Sequence, residues 1–143
     1  MVWVGDGPSA KQLAIDHPDH YFAGMRIGDD LAAHYASADL FLFPSLTETY
    51  GNVVAEAMAS GLPVMAYRSA AAAELIVQQQ NGMVASPGDE RGYVEGALWL
   101  LEESARLSDM ALAARQSMLP RSWGGVVETF ESVAREAIDS QVR

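Results

Sequence analysis

The sequence predicts an α/β protein built around a doubly wound, parallel, Rossmann-like sheet. Short apolar segments alternate with helical segments along the chain, as expected for parallel strands that are joined by crossover helices. The segment Asp39 to Phe43 is apolar without alternation, which is typical of a strand buried on both faces. With 143 residues, half of them hydrophobic, the chain fits a single domain that spans residues 1–143.

The individual elements follow from residue spacing and from residues that begin or end helices. Pro8 suits a first helical position and Pro18 ends the helix after it. Asp29 or Asp30 is expected to cap the second helix. The predicted strands are 3–4, 20–23, 39–43, 64–67 and 83–85, and the predicted helices are 9–16, 29–35, 51–60, 70–77, 90–102, 104–117 and 124–139.

The most informative segment lies between the apolar strands 40–43 and 64–67, where a loop and a short helix carry Glu48 and Glu56. The helix begins at Gly51-Asn52, directly after a strand. Its unpaired N–H groups and positive dipole end therefore face the crevice beyond the strand ends, which is a common arrangement for binding phosphate.

Glu56 stands among apolar neighbours, and a helix that is apolar nearly all round is expected to be buried. A buried carboxylate needs a partner, so a ligand is one interpretation. A partly exposed edge, or a cap to another backbone amide, is the other. Glu56 lies about 7 Å along the helix axis from Gly51, an offset that suits a ribose attached to a diphosphate.

These residues resemble the signature of the retaining glycosyltransferases of the GT-B fold, in the group 1 family GT4. The family pattern is Pro-Ser, two variable residues, Glu, an aromatic-Gly pair, then Glu-Ala-Met-Ala-x-Gly-x-Pro-Val. The matching residues are Pro44, Ser45, Glu48, Tyr50, Gly51, Glu56, Ala57, Met58, Ala59, Gly61, Pro63 and Val64. Weaker matches at 5–8, 22–24 and 81–84 extend the resemblance over roughly residues 1–100.

The resemblance implies a role for each matching position. It assigns donor-sugar hydroxyls to Glu48, which would act in catalysis by orienting the sugar. The other implied roles are sugar contact for Tyr50 and Gly51, diphosphate binding for Asn52 and Val53, ribose binding for Glu56, and base binding for Gly24, Met25 and Arg26. A carboxylate is an acceptor and suits a vicinal diol, which agrees with the two glutamate roles.

The resemblance also implies that the chain is the C-terminal, donor-binding half of a GT-B fold. Residues 1–5 match the family's second strand of that half, so the first β-α unit, with its diphosphate-clamping Arg and Lys, is expected to be absent. The N-terminal acceptor domain is expected to be absent too. Lys11 is the only lysine and the net charge is −10, so we expect a fragment that is inactive or nearly so alone.

Composition excludes several classes of function. The chain has no cysteine, and His17, His20 and His34 lack the spacing of a zinc pair. The family resemblance implies activity without a bound metal, so no metal or other cofactor is expected. The acidic balance argues against nucleic acid as a partner. No apolar run reaches the ~20 residues of a membrane helix. The lack of cysteine is compatible with a reducing cytosol, so we expect a cytoplasmic location. A parent protein that is peripheral to the inner membrane is the alternative.

The leading hypothesis is that the parent moves a hexose from a UDP- or GDP-linked donor to a hydroxyl acceptor with retention of configuration. The nucleotide sugar and the missing N-terminal domain are then the partners. A free-standing nucleotide-sugar binding module is the alternative, and a sugar-nucleotide epimerase is a third hypothesis that the two-glutamate pattern disfavours. The acceptor and the base stay open.

Three features outside the signature have two interpretations each. Glu74 is either a helix-surface carboxylate or a residue that fixes the neighbouring loop. Arg68 follows a strand end and either forms a surface ion pair or faces the cleft. An apolar stripe, formed by Trp123, Val126, Val127, Phe130 and Val133, is expected to pack in the intact enzyme or to favour self-association here.

Overall fold

The computed structural model describes residues 1–48, 51–121 and 123–141. The strands are β1 (Val2–Val4), β2 (Tyr21–Gly24), β3 (Phe41–Phe43), β4 (Val64–Tyr67) and β5 (Gly82–Ala85). The helices are α1 (Ala10–Asp16), α2 (Gly28–Ala36), α3 (Asn52–Ala59), α4 (Ala70–Leu75), α5 (Glu90–Leu101), α6 (Ser104–Met118) and α7 (Trp123–Gln141), with a 3-10 turn at Leu119–Arg121.

The chain divides into two compact units, Met1–Ser37 and Ala38–Arg143. The α/β class and the parallel strands predicted from the sequence are confirmed. The sequence analysis treated the strands as members of one sheet, whereas the described strands pair as a two-stranded sheet and a three-stranded sheet. Whether residues 1–143 act as one domain stays a prediction.

The first unit holds β1 and β2, paired in parallel, together with α1 and α2. Trp3 stacks on Phe22 with ring centroids 5.7 Å apart, and its indole N–H donates to Nδ1 of His20 at 3.0 Å. The prediction that Asp29 or Asp30 caps α2 is wrong. The helix begins earlier, at Gly28, so both carboxylates lie inside the first turn and no side chain caps the helix.

The second unit is a parallel sheet in the order β3-β4-β5, with α3 and α4 as the crossover helices. Phe41, Leu42 and Phe43 pair with Val64, Met65 and Ala66, and β4 continues the ladder with β5. Since both crossovers add a strand in the same direction, right-handed connections place α3 and α4 on the same face of the sheet. The helix α5 packs against β4 and β5.

The core is centred on β4 and β5, in which every residue is buried. Side chains alternate along a strand, and the alternate residues Met65 and Tyr67 of β4 join Tyr93 and Leu100 of α5 in one apolar cluster. The Tyr93 hydroxyl donates to the carbonyl of Met65 at 3.0 Å. Burial raises the pKa of Tyr93 above its usual value, so this phenol stays protonated in the folded protein.

The amino end of the three-stranded sheet is closed by its own hydrogen bonds. Asn81 is 3% exposed; its side-chain oxygen accepts from the N–H of Val77 at 2.8 Å, and its amide nitrogen donates to the carbonyl of Leu75 at 3.1 Å. The side chain of Gln78 accepts from the N–H of Val84 at 2.9 Å. These bonds satisfy backbone groups that the sheet and α4 leave unpaired.

Gly82 is a glycine because the neighbouring strand leaves no room for a side chain. A Cβ at this position would lie 2.6 Å from the carbonyl oxygen of Val64 and 3.1 Å from Cγ2 of Ile76. The Asn-Gly pair at 81–82, a weak match to the family signature, therefore has an architectural explanation.

Within the described ranges, no helix combines the length and apolar character needed to cross a membrane.

Candidate functional site

The candidate site lies at the carboxyl end of the three-stranded sheet. Because the strands are parallel, the segments that follow β3, β4 and β5 all begin at this end, where ligands of open α/β sheets bind. We call it the carboxyl edge, and it comprises the segments 44–53, 68–71 and 86–89, of which residues 49 and 50 are not described.

The start of α3 is a main-chain feature of the carboxyl edge. Gly51 is the N-cap, with φ of 83° in the left-handed region that glycine tolerates. The first hydrogen bond of the helix runs from the N–H of Val54 to the carbonyl of Gly51 at 3.0 Å. The N–H groups of Asn52 and Val53 precede this bond, and no described side chain caps the helix. They are therefore free to bind an anion.

Two segments of the carboxyl edge meet at Gly51. The position that a Cβ would take at Gly51 lies 3.8 Å from Cγ of Glu48 and 3.7 Å from Cβ of Ala71. The exposed Glu48 therefore lies beside the helix start, as the sequence analysis requires of a residue that acts with the α3 amides. Ser45 stabilises the loop by donating a 3.2 Å hydrogen bond to the carbonyl of Thr47.

The structure corrects the expectation that Glu56 lies on a fully buried helix. Glu56 and Asn52 are exposed, whereas Val54, Ala57 and Met58 are at most 1% exposed. Glu56 is thus exposed and not buried, and its assignment to the ribose stays a prediction. The apolar neighbours of Glu56 predicted a helix buried all round, but Val53 and Ala55 are only half-buried. Asn52 and Glu56 share one face and lie about 6 Å apart along the axis.

The residues assigned to the base lie in the other unit, after β2. Gly24 has φ of 72° and its carbonyl accepts from the N–H of Gly5 at 2.9 Å. Met25 is exposed, and Nε of Arg26 lies 3.3 Å from a carboxylate oxygen of Asp30. Their assignment to the base stays a prediction, and Tyr50 falls outside the described residues.

Glu74 has a partner that the sequence analysis missed. Its carboxylate accepts a 2.7 Å hydrogen bond from Arg121 in the 3-10 turn, which ties α4 to the segment that precedes α7. No local signal points to this pair, because the two residues stand 47 positions apart. Arg68, at the end of β4, is exposed.

In the part of the chain that the structure describes, no group of three or more His, Asp or Glu side chains is placed to hold a metal ion.

This fold and this edge define the class of open α/β domains that bind their ligands beyond the strand ends. The chain belongs to the family described as "Glycosyl transferases group 1", whose profile matches residues 1–103.

Two relatives carry the same printed name, GDP-mannose-dependent alpha-mannosyltransferase. The protein of Mycobacterium tuberculosis is 40% identical over 124 residues, which is 86% of this chain and 32% of that protein. The protein of Corynebacterium glutamicum is 38% identical over 124 residues, covering 86% of this chain and 30% of its own length. The chain thus spans about a third of the length of these relatives.

Solved structures match almost the whole chain. Anabaena Alr3699/HepE in complex with UDP-glucose superimposes with a TM-score of 0.74 at 26% identity, over 97% of this chain and 40% of that one. Sucrose-phosphate synthase from Thermosynechococcus elongatus reaches a TM-score of 0.82 at 20% identity, over 97% of this chain and 38% of its own. The second likeness, at its low identity, concerns the fold alone.

Proposed function

We propose that this chain is the donor-binding part of a retaining glycosyltransferase that moves a hexose from a nucleotide sugar to a hydroxyl acceptor. The observation that carries the proposal is the start of α3, where the free N–H groups of Asn52 and Val53 stand beside the carboxylate of Glu48. Membership in the group 1 family supports it. Since the chain spans about a third of its relatives, the transfer itself is proposed for a protein that also supplies the remaining parts.

The order of the exposed polar residues along α3 suits a nucleotide sugar bound in one orientation. A diphosphate at the amides of Asn52 and Val53 places the attached ribose one turn further along the helix, at the carboxylate of Glu56. The donor sugar, on the other side of the diphosphate, then lies at Glu48. Both carboxylates accept hydrogen bonds from sugar hydroxyls, and their exposure before binding avoids the cost of burying a charge without a partner.

The chemistry is a substitution at the anomeric carbon. The bond from that carbon to the diphosphate breaks, the acceptor oxygen bonds to it on the same face, and the acceptor's proton passes to a phosphate oxygen of the departing diphosphate. The helix-start amides stabilise the negative charge that develops on the leaving group. Glu48 orients the sugar and does not attack it.

We propose GDP-mannose as the donor, because the two relatives from Mycobacterium and Corynebacterium are named for it. The Anabaena structure contains UDP-glucose, so a UDP-linked hexose is the competing donor. The chain acts without a metal or other cofactor and with no nucleic acid as partner in this proposal.

The partners and the location are proposals as well. In this proposal an N-terminal domain binds the acceptor, and the 143 residues alone are inactive. Phe130, Val126, Val127 and Val133 of α7 are 51–73% exposed, so this stripe favours self-association of the isolated chain. We propose a cytoplasmic location, with the parent protein at most peripheral to the inner membrane.

Isothermal titration calorimetry of the 143-residue chain with GDP-mannose and with UDP-glucose tests the proposal. We expect the chain to bind GDP-mannose more tightly than UDP-glucose, without turnover. Glu56→Gln and Glu48→Gln each remove a charged acceptor and should weaken binding about tenfold. Glu102→Gln, an exposed residue at the end of α5, serves as the matched control and should bind as the parent chain does.

Each outcome of this experiment has a separate meaning. No binding of either nucleotide sugar contradicts the proposed function, and equal binding by the Glu56 and Glu102 variants contradicts the ribose assignment. Binding without transfer, in a protein that spans the full length of the relatives, favours the free-standing binding module. Epimerised donor in that protein favours the epimerase hypothesis.

A further inference from the structure

The exposed residue Arg68 has no function in the site as described above. It follows β4 directly, and its N–H donates to the carbonyl of Ala85 at 2.8 Å, which is the last hydrogen bond of the β4–β5 ladder. Arg68 thus stands one residue beyond the last pair, Tyr67–Ala85, at the carboxyl edge.

Among the arginines that the structure describes, Arg68 differs in that its side chain has no hydrogen-bond or ion-pair partner. Six arginines of the described residues bind a carboxylate, a carbonyl or both, namely Arg26, Arg91, Arg106, Arg115, Arg121 and Arg135. Among the described residues, no hydrogen bond or ion pair engages the side chain of Arg68. In a chain with 19 acidic and 9 basic residues, a guanidinium without an intramolecular carboxylate is available for an anion from outside.

The strand places Arg68 on the face of the sheet that carries α3. Met65 and Tyr67 belong to the cluster with α5, so Val64 and Ala66 point to the opposite face. Arg68 is the next residue in the alternation after Val64 and Ala66, so its side chain is expected on the same face as theirs. By the right-handed crossover argument, that face carries α3 and α4.

The distance from Arg68 to the start of α3 is short. Ala71 is three residues further along the chain, which is at most about 11 Å even in an extended conformation. The Cβ of Ala71 lies 3.7 Å from the Cβ position at Gly51, the N-cap of α3. The chain path thus keeps Arg68 near the start of α3, and the inference below requires its side chain to extend toward the α3 amides.

We infer that Arg68 binds the diphosphate of the nucleotide sugar, opposite the N–H groups of Asn52 and Val53. This inference rests on the proposed function and adds a cation to a site that otherwise offers neutral donors and two carboxylates. A guanidinium matches phosphate oxygens with two parallel hydrogen bonds, and its charge offsets the repulsion between the diphosphate and the neighbouring carboxylates.

The turn that follows Arg68 is held in a strained backbone conformation. Ala70 has φ of 42°, a left-handed conformation that is unfavourable for a residue with a Cβ. Strain of this kind persists where the surrounding structure requires it, and it is frequent at ligand sites. Ala70 lies between Arg68 and Ala71, which contacts the start of α3. Its backbone conformation therefore sets the direction of the chain after β4.

The test compares GDP, GMP and guanosine as ligands of the 143-residue chain, by calorimetry and by the ³¹P chemical shifts of the nucleotides. Arg68→Ala should weaken GDP binding roughly 10- to 100-fold, because a charge-assisted pair is lost. It should leave guanosine binding unchanged. Arg68→Lys keeps the positive charge but lacks the planar guanidinium, so its affinity for GDP should lie between those of the parent chain and Arg68→Ala. The difference in affinity between the parent chain and Arg68→Ala should shrink as salt is raised.

Arg135→Ala is the matched control, since Arg135 is exposed and pairs only with Glu131 on the same helix among the described residues. It should bind GDP as the parent chain does. Thermal unfolding of each variant checks that Arg68→Ala folds, and Arg68→Gln offers a second neutral variant if it does not.

The results separate the inference from the function on which it rests. GDP bound equally by the parent chain and Arg68→Ala overturns the inference and leaves the proposed function intact. An equal loss of GDP and guanosine also overturns it, because the effect is then not on the phosphates. A parent chain that binds no nucleotide overturns both.

Discussion

The polar groups at the two ends of the three-stranded sheet differ in burial and in their hydrogen bonds. At the amino end, Asn81 is buried and bonds to the backbone of Val77 and Leu75. At the carboxyl edge, Glu48 and Arg68 are exposed, and no described side chain caps the first amides of α3. Both ends carry residues of the same family signature, yet one end is closed within the chain and the other is open.

The difference separates signature residues that maintain the fold from those available to a ligand. Polar groups of the first kind have their hydrogen bonds inside the protein, so their replacement should change stability. Polar groups of the second kind face solvent, so their replacement should change binding and leave stability nearly unaltered. Substitutions at the two ends test this comparison.

The largest effect is expected for Gly82→Ala at the amino end. The added methyl group would lie 2.6 Å from the carbonyl oxygen of Val64, so a strand must move. We expect a loss of about 3 kcal/mol in the free energy of unfolding, measured by urea denaturation. Gly7→Ala is the control, because a Cβ there meets nothing within 4 Å, and it should change stability by less than about 0.5 kcal/mol. A Gly82→Ala protein of normal stability would show that this end tolerates rearrangement.

The next effect compares a polar residue at each end. Asn81→Leu leaves the N–H of Val77 and the carbonyl of Leu75 without their described partner, and should destabilise the protein by about 2 kcal/mol. Glu48→Gln, at the exposed end, should stay within about 0.5 kcal/mol in the same denaturation experiment. If both substitutions destabilise equally, the distinction between a structural end and a binding end fails.

The smallest effect concerns the turn at the carboxyl edge. Ala70 and Ala73 are both exposed residues of α4, but only Ala70 has a positive φ. Ala73→Gly should cost about 1 kcal/mol, because glycine is unfavourable in a helix. Ala70→Gly should change stability by less than about 0.5 kcal/mol, since relief of strain offsets the entropy of the added glycine. Equal losses in thermal unfolding would refute the strained conformation of Ala70.

The positions of strands and helices were predictable because apolar runs, glycines and prolines encode them locally. The apolar run 39–43 predicts a strand buried on both faces; β3 forms there, but its three residues are only half-buried, whereas every residue of β4 is buried. The separation of the strands into two sheets was not predictable, because pairing depends on contacts between segments that no single run encodes. The pair Glu74–Arg121 was missed for the same reason.

The candidate site was predicted in part. The spacing of Glu48, Gly51 and Glu56 located a loop and a helix start, and the structure places Glu48 beside Gly51. The environment of Glu56 was misjudged, since apolar residue types do not reveal which flank of a short helix faces solvent. The cap of α2 was misplaced because the helix begins one residue before Asp29.

The left-handed backbone at Gly51 concentrates the sequence constraint on one position. The direction of a backbone N–H bond depends on the backbone and not on the side chain of the residue. Positions 52 and 53 can therefore be replaced by any residue except proline without a change in the direction of these N–H bonds. Substitutions should accordingly be strongly restricted at residue 51 and tolerated at residues 52 and 53. The side chains of these two residues are therefore suitable positions for protein engineering.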